Sequence, residues 1–149
     1  MKRIHDAAVR EEIKRRLMAL TPSSQRRWGR MTPDQMLWHC SQPIDAAMGN
    51  IPFGEGGPRL PLPKSWVAWL ILNGPWPKGK TPTMPSFEAR ETHDFEEQRR
   101  RLLGLIDAFT ARDLGGNAAL HPVLGVTSMD FQSQLQARHL DHHLRQFGV

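Results

Sequence analysis

Apolar residues recur at helical spacing along this chain and nowhere alternate as a half-buried strand requires, which confines it to an all-α fold. In residues 4–20, Ile4, Ala8, Val9, Ile13, Leu17 and Leu20 fall on one face with Arg and Glu between them. Thr21-Pro22-Ser23-Ser24 ends that segment. The stretch WGRMTPDQMLWHC restarts a helix with clear signals. Thr32 is a good N-cap, Pro33 takes the first helical position, and Gln35 stands where a capping box wants Glu or Gln. This helix should run through Met36, Leu37, Cys40, Ile44 and Ala47 to Gly49, with a kink or break near Ser41 and Gln42 because Pro43 follows.

Residues 63–73 form a third helical segment. Its core Trp66–Leu72 is the longest apolar run, far short of the ~20 residues of a membrane span, and reads as a buried helix. Asp94 caps a fourth helix with Glu97 three residues on and Phe95, Leu102, Leu105, Ile106 and Phe109 on one side. Glu96/Arg100 and Glu97/Arg101 are i,i+4 pairs in the favourable orientation. Thr127 with Asp130 opens the last helix. The connections are uneven: a Gly/Pro-rich stretch at 50–62, a loop at 74–92 carrying four prolines, and residues 112–126 with the HPVLG turn. A long loop of the 74–92 kind often covers a site. With 149 residues, these helices make one domain over 1–149, packed as an antiparallel helical bundle with an additional short helix and long loops.

The N-terminal MKRIHDAAVREEIKRR lacks the apolar stretch of a signal peptide. A single cysteine, Cys40, rules out an internal disulfide framework, so a reducing compartment and a cytoplasmic location are expected. The net charge of +5 invites a nucleic-acid or anionic-surface reading. Residues 1–30 hold nine Lys/Arg against three acids, however, while the remainder holds eleven against twelve. No basic–aromatic interleaving suggests a base-stacking platform, so the charge reads as a solvated helix face. The five tryptophans are expected mainly in the core and at interfaces, Trp38 facing away from the Met36/Cys40/Ile44 stripe toward a partner.

The last helix carries the chemistry. With Phe131 at zero on a wheel of about 100° per residue, Leu135, Met129, Leu140 and Leu144 span about 40–220°, and Gln134, Arg138, Asp141 and Arg145 about 280–340°. His139 and His143 sit at about 80° and 120°, inside the apolar arc, while His142 lies at its edge near 20°. Two imidazoles at i and i+4 can share one ion, and leaving them buried without partners costs about 1–3 kcal/mol each. A divalent metal would satisfy both; so would hydrogen bonds to backbone or Gln146. His39 flanks the apolar stripe of the second helix, and its spacing fits a structural role as well as a third ligand. Cys40, near the stripe's centre, reads as a small buried thiol rather than a nucleophile. His121 precedes Pro122 before the last helix and could approach the site, though a capping or turn role fits it better. His5 and His93 suggest only helix-end chemistry.

WGRMTPDQMLWHC, HPVLG and RHLDHHLRQFG together resemble the DinB/YfiT-like superfamily of metal-dependent bacterial proteins, and more narrowly an uncharacterised-domain branch of it. The likeness covers roughly Ile4 to Val149 and is most specific at the two motif-bearing helices. It implies a four-helix bundle in up-down-down-up order, often dimeric. It implies one divalent metal, nickel or zinc, held by three histidines that match His39, His139 and His143. Gln146, three residues after the last of them, matches a glutamine beside the site, and His142 and His121 are candidate neighbours in the next layer. Characterised relatives include transferases and isomerases that use low-molecular-weight thiols such as mycothiol or bacillithiol. Three histidines leave open positions for a small-molecule substrate, so the resemblance points to a metal-dependent hydrolase or thiol transferase. No Asp or Glu falls on the His139/His143 face, which favours a non-catalytic metal- or ligand-binding bundle as the alternative.

Overall fold

A computed structural model describes residues 2–56, 61–79 and 83–149. Residues 57–60 and 80–82, within the two irregular connections expected at 50–62 and 74–92, lie outside the described residues. The described chain is all-helical: α1 (Ala7–Ala19), α2 (Pro33–Ala47), α3 (Lys64–Asn73), α4 (Phe95–Thr110) and α5 (Met129–Gln146), with one 3-10 turn at Pro85–Phe87. No strand occurs among the described residues; two isolated bridges, Asn117 with Ser128 and His121 with Gly125, tighten the loop before α5.

Local chemistry sets the helix starts. Thr32 and Gln35 form the expected reciprocal capping box on α2, and the Asp94 carboxylate accepts the Glu97 N–H at 2.7 Å. At α5 the capping side chain is Ser128, which accepts from the Phe131 N–H, rather than Thr127. The Thr127 hydroxyl instead receives the buried Gln132 amide at 3.0 Å. Pro43 does not break α2, which continues to Ala47. The neighbouring turn is stitched by side chains: the Ser41 hydroxyl donates to the Leu37 carbonyl and the Gln42 amide to the Trp38 carbonyl.

Four helices surround one core built from Ile13 and Leu17 of α1, Met36 and Ile44 of α2, Leu102 and Ile106 of α4, and Leu140 and Leu144 of α5. Hydrogen bonds fix their directions. The Ile4 N–H meets the Ser133 carbonyl and Arg16 meets Asp141, so α1 and α5 run parallel. His93 N–H donates to Asp34, and Arg101 pairs with Asp45 at 2.6 Å, so α2 and α4 also run parallel. Lys14 reaches Asp107 while Arg99 reaches the Leu20 carbonyl, which sets α1 antiparallel to α4. α2 meets α5 antiparallel, His39 near its start facing His139 toward the far end of α5. The bundle is therefore antiparallel across two of its four contacts only, because the long α2–α4 connection carries the chain back to the end where α2 began.

Charge and apolar exposure depart from the sequence reading. Five of the nine Lys/Arg in residues 1–30 are ion-paired: Arg3, Arg10, Lys14, Arg15 and Arg16, with Asp130, Glu11, Asp107, Glu12 and Asp141. On α4 the pairs that form are Arg99–Glu96 and Arg101–Asp45, not the i,i+4 pairs expected, because α2 offers Arg101 a better-buried carboxylate. α3 is not buried. It packs on α5 alone among the larger helix contacts, and only Val67 is sequestered. None of the five tryptophans is fully buried. Trp38 is half-buried, with the His93 ring stacked on it at 5.3 Å and 4°.

Candidate metal centre

Three imidazoles meet where the early part of α2 lies against the late part of α5. The second turn of α2 presents His39, and successive turns of α5 present His139 and His143. One ligand nitrogen from each lies within 4.8 Å of the others, and His39 Nε2 is 3.0 Å from His139 Nε2. Tetrahedral zinc with bonds of about 2.0–2.1 Å requires ligand nitrogens about 3.3 Å apart, so small side-chain shifts suffice to receive an ion.

The outer nitrogens are already engaged, which decides how the inner ones point. His39 Nδ1 lies 2.8 Å from the Phe87 carbonyl, an acceptor only, so Nδ1 carries the proton and Nε2 keeps its lone pair. His143 Nδ1 lies 2.9 Å from Gln146 Oε1. Gln146 is oriented in turn, because its Nε2 donates to the Trp28 carbonyl at 2.7 Å and so must be the amide end. His143 therefore donates from Nδ1 and turns Nε2 inward. The Trp28 carbonyl reaches Gln146 through Gly29, whose φ of 77° is left-handed and whose missing Cβ would collide with Gln146 Nε2. Such outer hydrogen bonds fix tautomer and ring orientation in metal sites.

All three rings are neutral at neutral pH. Burial lowers His139 well below its ordinary value, with the neighbouring His143 and His39 adding to the effect. Burial likewise lowers His143 to about 3, with His39 adding and the Gln146 hydrogen bond opposing. His39 is lowered chiefly by burial, opposed by the Phe87 carbonyl. Neutral imidazole is the form that ligates, so no proton competes for the site near neutrality.

Aromatic rings and cations flank the triad. Trp76, from the proline-rich loop, lies 6.1 Å from the His139 ring and 5.5 Å from His142. Trp28 approaches His142 from another side at 5.8 Å, and Lys78 lies over the Trp28 ring. The Arg138 guanidinium lies over Trp76 and donates to the Leu72 and Gly74 carbonyls. No carboxylate completes the group: it consists of the three histidines among the described residues.

The other predicted residues separate clearly. Gln146 touches His143 directly, and the His142 ring lies 5.1 Å from His143. His121 joins Phe53 and its own turn rather than the triad. Its ring packs at a tilt against Phe53, 4.7 Å away, and its Nδ1 accepts the Val123 and Leu124 N–H groups, which is the turn role. Cys40 is buried with its Sγ 3.6 Å from Met36 Sδ, and burial pushes its thiol pKa far up, so it is no nucleophile. His5 joins three elements, bonding Ser133 Oγ and the Arg112 carbonyl.

Sequence reasoning missed Trp28, Trp76, the Phe87 carbonyl, and a buried ladder on α5. In that ladder Gln136 donates to Gln132 at 3.2 Å, and Gln132 donates to Thr127. The wheel places both glutamines at about 100–140°, on the histidine face, so this signal was readable. A backbone carbonyl such as that of Phe87 leaves no trace in sequence. No protein-family model matches the chain, and no curated protein or solved structure matches it.

Proposed function

We propose that the chain is a metal-dependent protein of the DinB/YfiT-like type, holding one divalent ion, nickel or zinc, on His39, His139 and His143. The observation that carries this reading is the convergence of three neutral imidazoles, two of which have Nδ1 committed to outward acceptors, leaving Nε2 without a proton. The up-down-down-up order of α1, α2, α4 and α5 supports the same reading, since the resemblance implies it. A divalent ion on three neutral ligands keeps its full positive charge and open positions, and would acidify a bound water or small thiol for transfer or hydrolysis.

The protein's own groups have definable tasks in that reaction. Phe87 and Gln146 hold the Nδ1 protons and aim the rings. Trp28 and Trp76 limit water at the mouth. His142, kept below its ordinary pKa mainly by burial, is the adjacent base that can accept a proton from an incoming nucleophile. The substrate class is a small molecule used with a low-molecular-weight thiol, handled by a cytoplasmic homodimer.

The test is elemental analysis of tag-free protein prepared without chelator, beside His139→Ala/His143→Ala. Near-stoichiometric metal in the parent and little in the variant is expected, followed by metal-dependent consumption of a thiol with a generic electrophile. Absence of metal after nickel or zinc titration would overturn the reading. A second reading, a metal site that only stabilises the fold, is favoured by the lack of any carboxylate in the group. Stoichiometric metal without thiol or ester turnover would establish it.

A further inference from the structure

The tryptophans that flank the triad each carry a cation, and the metal reading gives those cations no task. Lys78 Nζ lies 4.7 Å from the centre of the Trp28 ring, and the Arg138 guanidinium 5.0 Å from that of Trp76. Trp28 packs on His142 at 5.8 Å, and Trp76 on both His142 and His139. The two loops touch here, since a Cβ on Gly79 would meet the Gly29 nitrogen at 3.7 Å.

Charge at this mouth is one-sided. Residues 20–33 and 74–87, which bring the tryptophans, contain no Asp or Glu. The cations of α1, Arg10, Lys14, Arg15 and Arg16, are all ion-paired. Among the described residues Lys78 and Arg138 take part in no ion pair. The neighbouring acids are already engaged, Asp141 by Arg16 and Arg145, and Glu88 by Arg90. Three neutral imidazoles add no negative charge of their own, so a divalent ion on them keeps its full charge. A cleft lined by one sign of charge concentrates ligands of the other.

The two cations offer different things. Arg138 is pinned, its terminal nitrogens donating to the Leu72 and Gly74 carbonyls, so it supplies field rather than contact. Lys78 is exposed, and its ammonium has no hydrogen-bond acceptor among the described residues, which leaves its donors for a ligand.

We propose that the small molecule taken at this centre is an anion, bearing a carboxylate that Lys78 receives beside Trp28 while its reacting group reaches the triad. The proposal rests on the metal reading above and adds the ligand's charge.

The experiment is titration of cobalt-loaded protein with mercaptoacetate and with the neutral 2-mercaptoethanol, read from the visible bands of the bound ion. The affinity ratio of the two thiols is compared between parent and variants, which cancels whatever each thiol gains at the ion itself. Lys78→Gln should lower the preference for mercaptoacetate about threefold and Lys78→Glu about tenfold. Added salt should narrow it in the parent. Lys64→Gln is the control, because Lys64 Nζ lies at the Gly125 turn near the start of α5, and its ratio should match the parent's. Melting curves of all variants should match the parent's, since both lysines lie outside the core. Cobalt bound with an unchanged ratio in both Lys78 variants overturns this proposal alone, as does an equal fall in Lys64→Gln. A parent that takes up no cobalt overturns the metal reading and this proposal together.

Discussion

Replacing Gln146 by Leu should damage the metal centre without touching a ligand. The side chain is 3% exposed and makes two bonds, accepting from His143 Nδ1 at 2.9 Å and donating to the Trp28 carbonyl at 2.7 Å. Leu fills the same volume but leaves an imidazole N–H and a carbonyl without partners. Each orphaned buried group costs about 1–3 kcal/mol, so ~2–4 kcal/mol of stability should go after partial relaxation. For a domain of this size that is a fall in Tm of about 5–15 °C. Freed from its anchor, the His143 ring can rotate or exchange tautomer, and loss of such an outer bond weakens metal binding about 10–100-fold. The assay is zinc competition against a chromophoric chelator, with thermal melts of the metal-free protein alongside. Gly29→Ala should reproduce both effects, because the added methyl would displace the Gln146 amide from its seat. Zinc affinity within twofold of the parent in both variants would refute the claim that this relay orients His143.

Stability of the metal-free protein should fall as pH drops from ~6.5 toward ~3. The folded state holds His139 and His143 below their ordinary values, so in that window the unfolded chain takes up protons the folded chain refuses. The slope should reach at most ~1.4 kcal/mol per pH unit for each histidine and shrink in His143→Phe, which urea midpoints at several pH values would reveal; equal slopes would contradict it. Cys40 should resist an aromatic disulfide reagent in the native state and react within minutes in denaturant, because burial keeps it a thiol; fast native labelling would show the core opens there. Gln98→Leu should be neutral or stabilising by up to ~1 kcal/mol, since its Oε1 is buried with no protein partner. A loss above ~1 kcal/mol in its denaturation curve would reveal a donor serving that oxygen.

Helix existence was legible throughout because caps and period agree locally. Thr32, Pro33 and Gln35 set the start of α2, and Asp94 set that of α4, from side-chain chemistry that needs no tertiary context. The pair His139 and His143 was legible for the same reason, since an i,i+4 spacing within one helix is geometry fixed by sequence. His39 was not, because its role depends on α2 lying antiparallel to α5, a long-range fact invisible to periodicity. The reading failed where hydrophobicity was equated with burial. Trp66 and Trp69 carry the strongest apolar signal in the chain and lie among its most exposed side chains, while the polar Gln132 and Gln136 are fully enclosed. It was off by one residue at Ser128, where Thr127 offered an equally good cap and only the demand of Gln132 for an acceptor separated them.

The triad joins residues separated by 100 positions, yet two of its members sit one turn apart on the same helix. Ion binding should therefore occur in two tiers. A compact intermediate that keeps α5 but has lost the contact with α2 retains the His139/His143 pair as a weak bidentate site, and gains the third ligand only when the native topology closes. Closing so long a loop restricts the unfolded chain as a distant cross-link would, to the order of a few kcal/mol. Tight affinity then reports native topology, and weak affinity reports helix alone. In that sense the ion is a gauge of how far folding has gone, readable where circular dichroism would register the two states as nearly the same helical content.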